Sequence, residues 1–215
     1  MKKEIASDLL RIGAVFLRPE EPFTWASGIK SPIYCDNRLT LSDVSVRSDV
    51  EHALAELVRE HFPECQQLMG TSTAGIAHAA ITAEILGLPM GYVRSSAKDH
   101  GRGRQIEGKC EPGTKVVVIE DLISTAGSCV EVAEVLRKAG CEVLGIVSIF
   151  TYGMKKAADR LQEHHLVNYS ASDYDTLLEI AVEENRIRRD QVSALLAFRD
   201  NPCDESWITG SSAAK

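Results

Sequence analysis

Two adjacent carboxylates, Glu120 and Asp121, close the apolar run Lys115-Val-Val-Val-Ile119, and the chain then continues Leu122-Ile123-Ser124-Thr125-Ala126-Gly127-Ser128. Three hydroxyls among small residues let an anion come close to the backbone. A helix opening at that point adds free N–H groups and partial positive charge, together about 0.3–1 kcal/mol for a nearby anion. This is the composition of a phosphate cradle. If Ser128 served only as a helix cap, the other hydroxyls would have no task. Two carboxylates beside a phosphate repel it unless they accept hydrogen bonds from hydroxyl groups or face a cation. A ribose 5-phosphate meets that condition, with its diol on the acids and its phosphate on the Ser/Thr loop. A second small polar loop, Thr71-Ser72-Thr73-Ala74-Gly75, also follows an apolar stretch and suits another phosphate group.

Between these loops lies a segment of different character. Ser95 to Gly113, nineteen residues rich in glycine and charge, has no apolar periodicity. Structureless stretches longer than about 12–15 residues inside a compact domain are usually lids or binding loops. From Arg94 to Lys109 it carries five cations (Arg94, Lys98, Arg102, Arg104, Lys109) against Asp99 and Glu107, a local balance of +3 with His100 neutral. The whole chain of 215 residues carries −7. The acidic total argues against nucleic acid as the main partner, because phosphate backbones are held by excess Lys and Arg. The positive charge is concentrated on the lid.

These residues need strand ends and helix starts to hold them, and the flanking pattern supplies both. Gln67–Gly70, a helical run near 76–86 and Met90–Arg94 repeat the order found in Lys115–Glu120, a helix near 128–139 and Glu142–Phe150. Near-continuous Val/Ile strands alternating with helices predict an α/β fold with a central parallel sheet covered on both faces. Ligands in such sheets bind outside the carboxyl ends of the strands. Helical spacing is also expected over 2–14 and 43–61, near 155–163, near 173–184 and near 189–198. Short strands are expected around the Ser-Gly turn of Phe23–Asp36, a weak strand at 165–169, and a frayed tail at 201–215. One domain is expected, with a small N-terminal hood over about 1–40 and a core over about 41–200.

With 44% hydrophobic and 26% charged residues, the composition is that of an ordinary soluble chain. Glu4, Asp8 and Arg11 interrupt any signal-like run, and no stretch approaches the roughly 20 apolar residues of a membrane span. Six cysteines without a CxxC pair are expected to be reduced and mostly buried, which places the protein in the cytoplasm. Gly103-Arg-Gln-Ile-Glu-Gly-Lys-Cys110 imitates a nucleotide-kinase P-loop but is one residue short, has Cys for Ser/Thr and precedes its strand, so it is rejected. His164-His165 would point to different helix faces, and no protein-only metal site is expected.

The thirteen residues Val116-Val-Val-Ile-Glu-Asp-Leu-Ile-Ser-Thr-Ala-Gly-Ser128 resemble the 5-phosphoribosyl-1-pyrophosphate (PRPP) signature of type I phosphoribosyltransferases. Arg94-Ser-Ser-Ala-Lys-Asp-His-Gly101 with Gln105-Ile-Glu-Gly108 resembles the mobile catalytic loop of the orotate branch of that family. Phe23-Thr-Trp-Ala-Ser-Gly28 and Ser31-Pro-Ile-Tyr-Cys-Asp-Asn-Arg38 resemble its substrate hood. The resemblance, which runs from about residue 5 to 200, implies magnesium-dependent transfer of ribosyl phosphate from PRPP to orotate. It implies Mg2+ carried mainly by PRPP, and a homodimer whose lids reach into the neighbouring subunit's site. By matched position, Glu120 and Asp121 hold the ribose hydroxyls, and Ser124 to Ser128 hold the 5′-phosphate. Arg94, Lys98 and His100 hold the pyrophosphate, Lys98 and His100 being catalytic, and Ser124 also touches orotate. Some relatives carry basic residues where Ala26, Ala74, Ser95 and Tyr152 stand here, so backbone groups of Phe23–Gly28, or Lys30, are left to recognise the orotate carboxylate. A purine-salvage transferase and a non-catalytic PRPP sensor remain as alternatives on the shared signature.

Overall fold

Helix α1 (Lys2–Arg11) buries Ile5, Ala6, Leu9 and Leu10, the three-to-four-residue spacing that turns one stripe inward. A computed structural model describes residues 1–24, 28–95 and 105–210. After α1, two short ribbons form: β1 (Val15–Leu17) pairs antiparallel with β4 (Ile33–Cys35), and β2 (Phe23–Thr24) with β3 (Lys30–Ser31). A 3-10 segment, Asn37–Ser42, leads into α2 (Val44–His61), whose start is capped by Asp43 accepting from the Val46 N–H at 3.0 Å.

The fully buried β5 (Gln67–Thr71) runs into α3 (Gly75–Leu86), which ends at the left-handed Gly87 (φ 66°), a conformation that glycine adopts without strain. β6 (Met90–Val93), β7 (Ile106–Glu107), β8 (Lys115–Ile123), α4 (Gly127–Lys138) and β9 (Glu142–Thr151) follow. α5 (Lys155–Glu163), β10 (Asn168–Asp173), α6 (Tyr174–Glu183), α7 (Val192–Asp200) and α8 (Ser206–Gly210) complete the fold.

Six strands make one sheet in the order β10-β9-β8-β5-β6-β7, parallel except for the edge strand β7. Alternation along each strand divides the apolar residues between two layers. Val117 and Ile119 of β8, with Val147 and Ile149 of β9, face α1, α2, α3 and α6, whereas Val116, Val118 and Ile146 face α4 and α5. Burial on both sides explains why these strands read as unbroken apolar runs. The register sets Gly70 beside Ile119, which brings Thr71 level with Glu120.

Several expectations are corrected. β8 continues through Asp121 and Leu122 to Ile123, because Leu122 and Ile123 pair with Phe150 and Thr151 of β9. The last strand lies at 168–173 in place of 165–169, where parallel pairing with β9 decides the position. Within the stretch expected to be structureless, Ile106–Glu107 forms an edge strand with Tyr92–Val93. The tail is not frayed over 206–210: Trp207 is 4% exposed and meets Phe198 edge-on at 5.8 Å. Not all cysteines are free. Cys110 and Cys141, 31 residues apart, are disulfide-bonded, brought together because the loops before β8 and before β9 are neighbours; Cys35, Cys65, Cys129 and Cys203 are free.

Candidate active site

The carboxyl ends of β5 and β8 deliver two loops to one edge of the sheet, and each feeds a helix. α3 and α4 both begin without a side-chain cap, at Ala74 and at Ala126, so no side chain occupies their first-turn N–H groups, although that of Ile76 donates to the Thr73 carbonyl at 3.3 Å. Ala126 has φ 58°, which turns the 124–128 loop sharply into α4. Close approach of the two loops demands glycine at position 75: a Cβ there would meet the Ile119 carbonyl oxygen and Thr71 Oγ1 at 2.5 Å each.

Ser128 does not cap α4. Its hydroxyl donates to Glu120 Oε2 at 2.8 Å, while Thr71 Oγ1 donates to Glu120 Oε1 at 2.6 Å and the Asp121 N–H to the same oxygen at 3.1 Å. Glu120 is 4% exposed. Burial first, and then the neighbouring Asp121 carboxylate, push its carboxyl up to about 7 against the donors that favour the ionised form. Asp121 is less buried and follows Glu120 at the rim. The expected pair of acids therefore differs in burial, Glu120 enclosed by the protein and Asp121 partly exposed beside it.

Three supports escaped sequence reading. Asn37 donates from Nδ2 to the Asp121 carbonyl at 2.7 Å, and Cys35 Sγ approaches Asn37 Oδ1 at 3.2 Å. From α5, Arg160 Nη1 donates to the Thr125 carbonyl at 3.0 Å, against the back of the cradle. These partners lie 84 and 35 residues from the groups they hold, so no local pattern announces them.

Arg94 stands where β6 ends. Its N–H donates to the Gln105 carbonyl at 2.9 Å, and its Nη1, buried and without a hydrogen-bond partner among the described residues, lies 3.8 Å from Glu107 Oε1 as an ion pair. Lys98 and His100, as well as Trp25, Ala26 and Ser27, lie outside the described residues. Lys30 Nζ donates to Thr24 Oγ1 at 2.7 Å across the β2–β3 ribbon. Tyr152 is a core residue, 3% exposed and edge-on to Phe150 and Tyr174. Among the described residues no cluster of three His, Cys, Asp or Glu could hold a metal ion.

A profile of the phosphoribosyl transferase domain matches residues 45–183. Over 209 residues the chain is 58% identical to the orotate phosphoribosyltransferase of Bacillus cereus (strain G9842), covering 97% of this chain and 100% of that one. The chain belongs to the orotate phosphoribosyltransferase family. Among solved structures, the orotate phosphoribosyltransferase from Aeropyrum pernix is 33% identical with a TM-score of 0.73, over 81% of this chain and 96% of that one. The UMP synthase of Leishmania donovani is 28% identical with a TM-score of 0.78, over 92% of this chain and 42% of that longer one. As an orotate phosphoribosyltransferase family member, the chain has the type I architecture that the signature at 116–128 implied. Its two uncapped helices frame the phosphate loops.

Proposed function

We propose that the chain transfers the ribosyl phosphate of PRPP to N1 of orotate, giving orotidine 5′-monophosphate and pyrophosphate, a step of pyrimidine synthesis. The observation that carries this reading is the pair of uncapped helix starts, α3 and α4, set side by side with the acids Glu120 and Asp121 between them. PRPP presents a phosphate at each end and a diol between, which matches that order. The loop at 124–128 takes the 5′-phosphate, Asp121 accepts from the diol, and Thr71–Gly75 with Arg94 faces the pyrophosphate.

Orotate loses its nitrogen proton readily, so the reaction needs no strong base. The barrier lies in separating pyrophosphate from a ribose carbon that becomes oxocarbenium-like, and the protein's task is to stabilise charge on the leaving group. Arg94, a partly exposed guanidinium at the end of β6 that pairs with Glu107, is the described cation nearest that task. Lys98 and His100 would add cationic donors from the lid; at an effective dielectric near 20, a cation 4 Å from a phosphate oxygen gains about 4 kcal/mol before desolvation. Closure of a lid also keeps water from the reactive sugar.

Mg2+ fits as an ion brought by PRPP. Such ions keep several waters and rely on one or two carboxylates plus substrate phosphates, and Asp121 is the carboxylate placed to supply one. When bound, the ion would neutralise pyrophosphate charge. A homodimer with shared lids is the proposed working unit. Phe16 and Tyr34, directly opposed across β1 and β4, stay 45% and 43% exposed, an apolar pair that a second copy could cover. The proposed compartment is the cytoplasm; four of the six cysteines are free, against the single Cys110–Cys141 bond.

A steady-state assay with PRPP and a panel of bases tests the reading. Turnover of orotate with hypoxanthine and adenine inert is expected; the reverse pattern would assign the chain to purine salvage.

A further inference from the structure

Glu120 spans the gap between the two phosphate loops. Its Oε1 receives the hydroxyl of Thr71, the last residue of β5, and its Oε2 receives that of Ser128, in the first turn of α4. Thr71 is 1% exposed and Glu120 4%, so water does not replace the contact between them, whereas Ser128, at the other end, is exposed. Both carboxylate oxygens are engaged by the protein, and the Asp121 N–H adds a third donor. Buried polar groups joined in a satisfied set fix the geometry of the elements that carry them. The elements here are the two anion-binding turns.

We propose that Glu120 is a strut: with Thr71 and Ser128 as positioning residues it locks the pyrophosphate loop to the 5′-phosphate loop. The proposal rests on the phosphoribosyl reading of those two loops. Three observations support it. Gly75 admits no side chain, which lets the 71–75 loop lie against Ile119 next to the strut. Asn37 and Arg160 grip the backbone at Asp121 and Thr125, so the 5′-phosphate loop is held from two sides and the strut supplies the third restraint. Burial and Asp121 push the Glu120 carboxyl up to about 7, which reduces its opposition to anions on either side.

A strut has a consequence that a pair of independent sites lacks: filling one loop prepares the other. The test is calorimetric titration of the full chain with pyrophosphate at constant Mg2+, with and without saturating ribose 5-phosphate. In the unaltered protein, ribose 5-phosphate is expected to tighten pyrophosphate binding by about fivefold or more, the lower range of measured couplings. Thr71→Val, which keeps shape and removes the donor, and Ser128→Ala should each reduce that factor to near one. Thr71→Ser should restore it. Circular dichroism and Tm establish that each variant is folded, and if Thr71→Val does not fold, Ser128→Ala carries the test. Coupling unchanged in a folded donor-free variant, or no coupling in the unaltered protein, overturns the strut alone. Failure of the unaltered protein to bind either anion overturns the phosphoribosyl reading and the strut with it.

Discussion

At residue scale, the division between Glu120 and Asp121 is the informative result. The sequence shows two neighbouring acids with one expected task, but Glu120 is 4% exposed and takes the Thr71 hydroxyl from the adjacent strand, while Asp121 is only partly buried and its carboxylate stays close enough to raise the Glu120 carboxyl. That separation was legible only once the β5–β8 register was known. A pH dependence follows. The folded Glu120 carboxyl is raised from the ordinary 4.5 to about 7, so its stabilising contribution is complete below pH 4.5 and is lost as pH rises through 7. Urea unfolding between pH 5 and pH 8 should show stability falling by on the order of 1–3 kcal/mol, and Glu120→Gln should flatten that slope. A slope unchanged in Glu120→Gln would show that another group is responsible. Lys98→Ala should lower kcat by two or more orders of magnitude (about 3 kcal/mol or more) with Tm unchanged, if the lid cation carries leaving-group charge.

At the scale of elements, the helices and inner strands were readable because their apolar periods are long and two-sided burial gives them continuous Val/Ile runs. Shorter elements were not. β1, with three residues, and the two-residue β7 owe their existence to partners distant in sequence. The link between α2 and α3 was equally hidden: Glu51 Oε1 lies 2.5 Å from His78 Nδ1, and Glu51 Oε2 accepts from Thr82 Oγ1 at 2.8 Å, all three residues fully buried. Because α3 opens at the 71–75 loop, this trio ties the helix behind that loop to α2. Glu51→Ala would leave His78 and Thr82 without a partner in the core and should cost about 3–5 kcal/mol. Chemical denaturation reads this directly, and a loss below about 1 kcal/mol would mean that the site relaxes. The Cys110–Cys141 bond should act differently, through the unfolded chain: closing a loop of 31 residues is worth about 3–4 kcal/mol. Cys141→Ser should therefore lower Tm under oxidising conditions and match the unaltered protein once reductant is present.

For the molecule as a whole, a −7 chain that binds polyanions is explained by where its positive potential lies. Backbone N–H groups at two helix starts carry no formal charge and escape composition, and five of the 24 cations fall between Arg94 and Lys109 against two acids. If lids serve the neighbouring subunit, mixing Lys98→Ala protein with Asp121→Asn protein should recover up to about a quarter of unaltered activity, since one of the two sites in each mixed dimer combines intact parts. No recovery in verified mixed dimers would mean that each lid closes on its own site.

The stem at β6–β7 has an evolutionary consequence. Val93 opposite Ile106, together with the Arg94 N–H on the Gln105 carbonyl, ties the two ends of the intervening stretch to each other at the sheet edge. The cost of closing such a loop grows only slowly with its length, about 0.6 kcal/mol for each doubling. A change in the length of chain between these two ends is thus expected to cost the sheet little, so that selection acts on that length without renegotiating the fold. Grafting a relative's lid onto this stem is the corresponding engineering route.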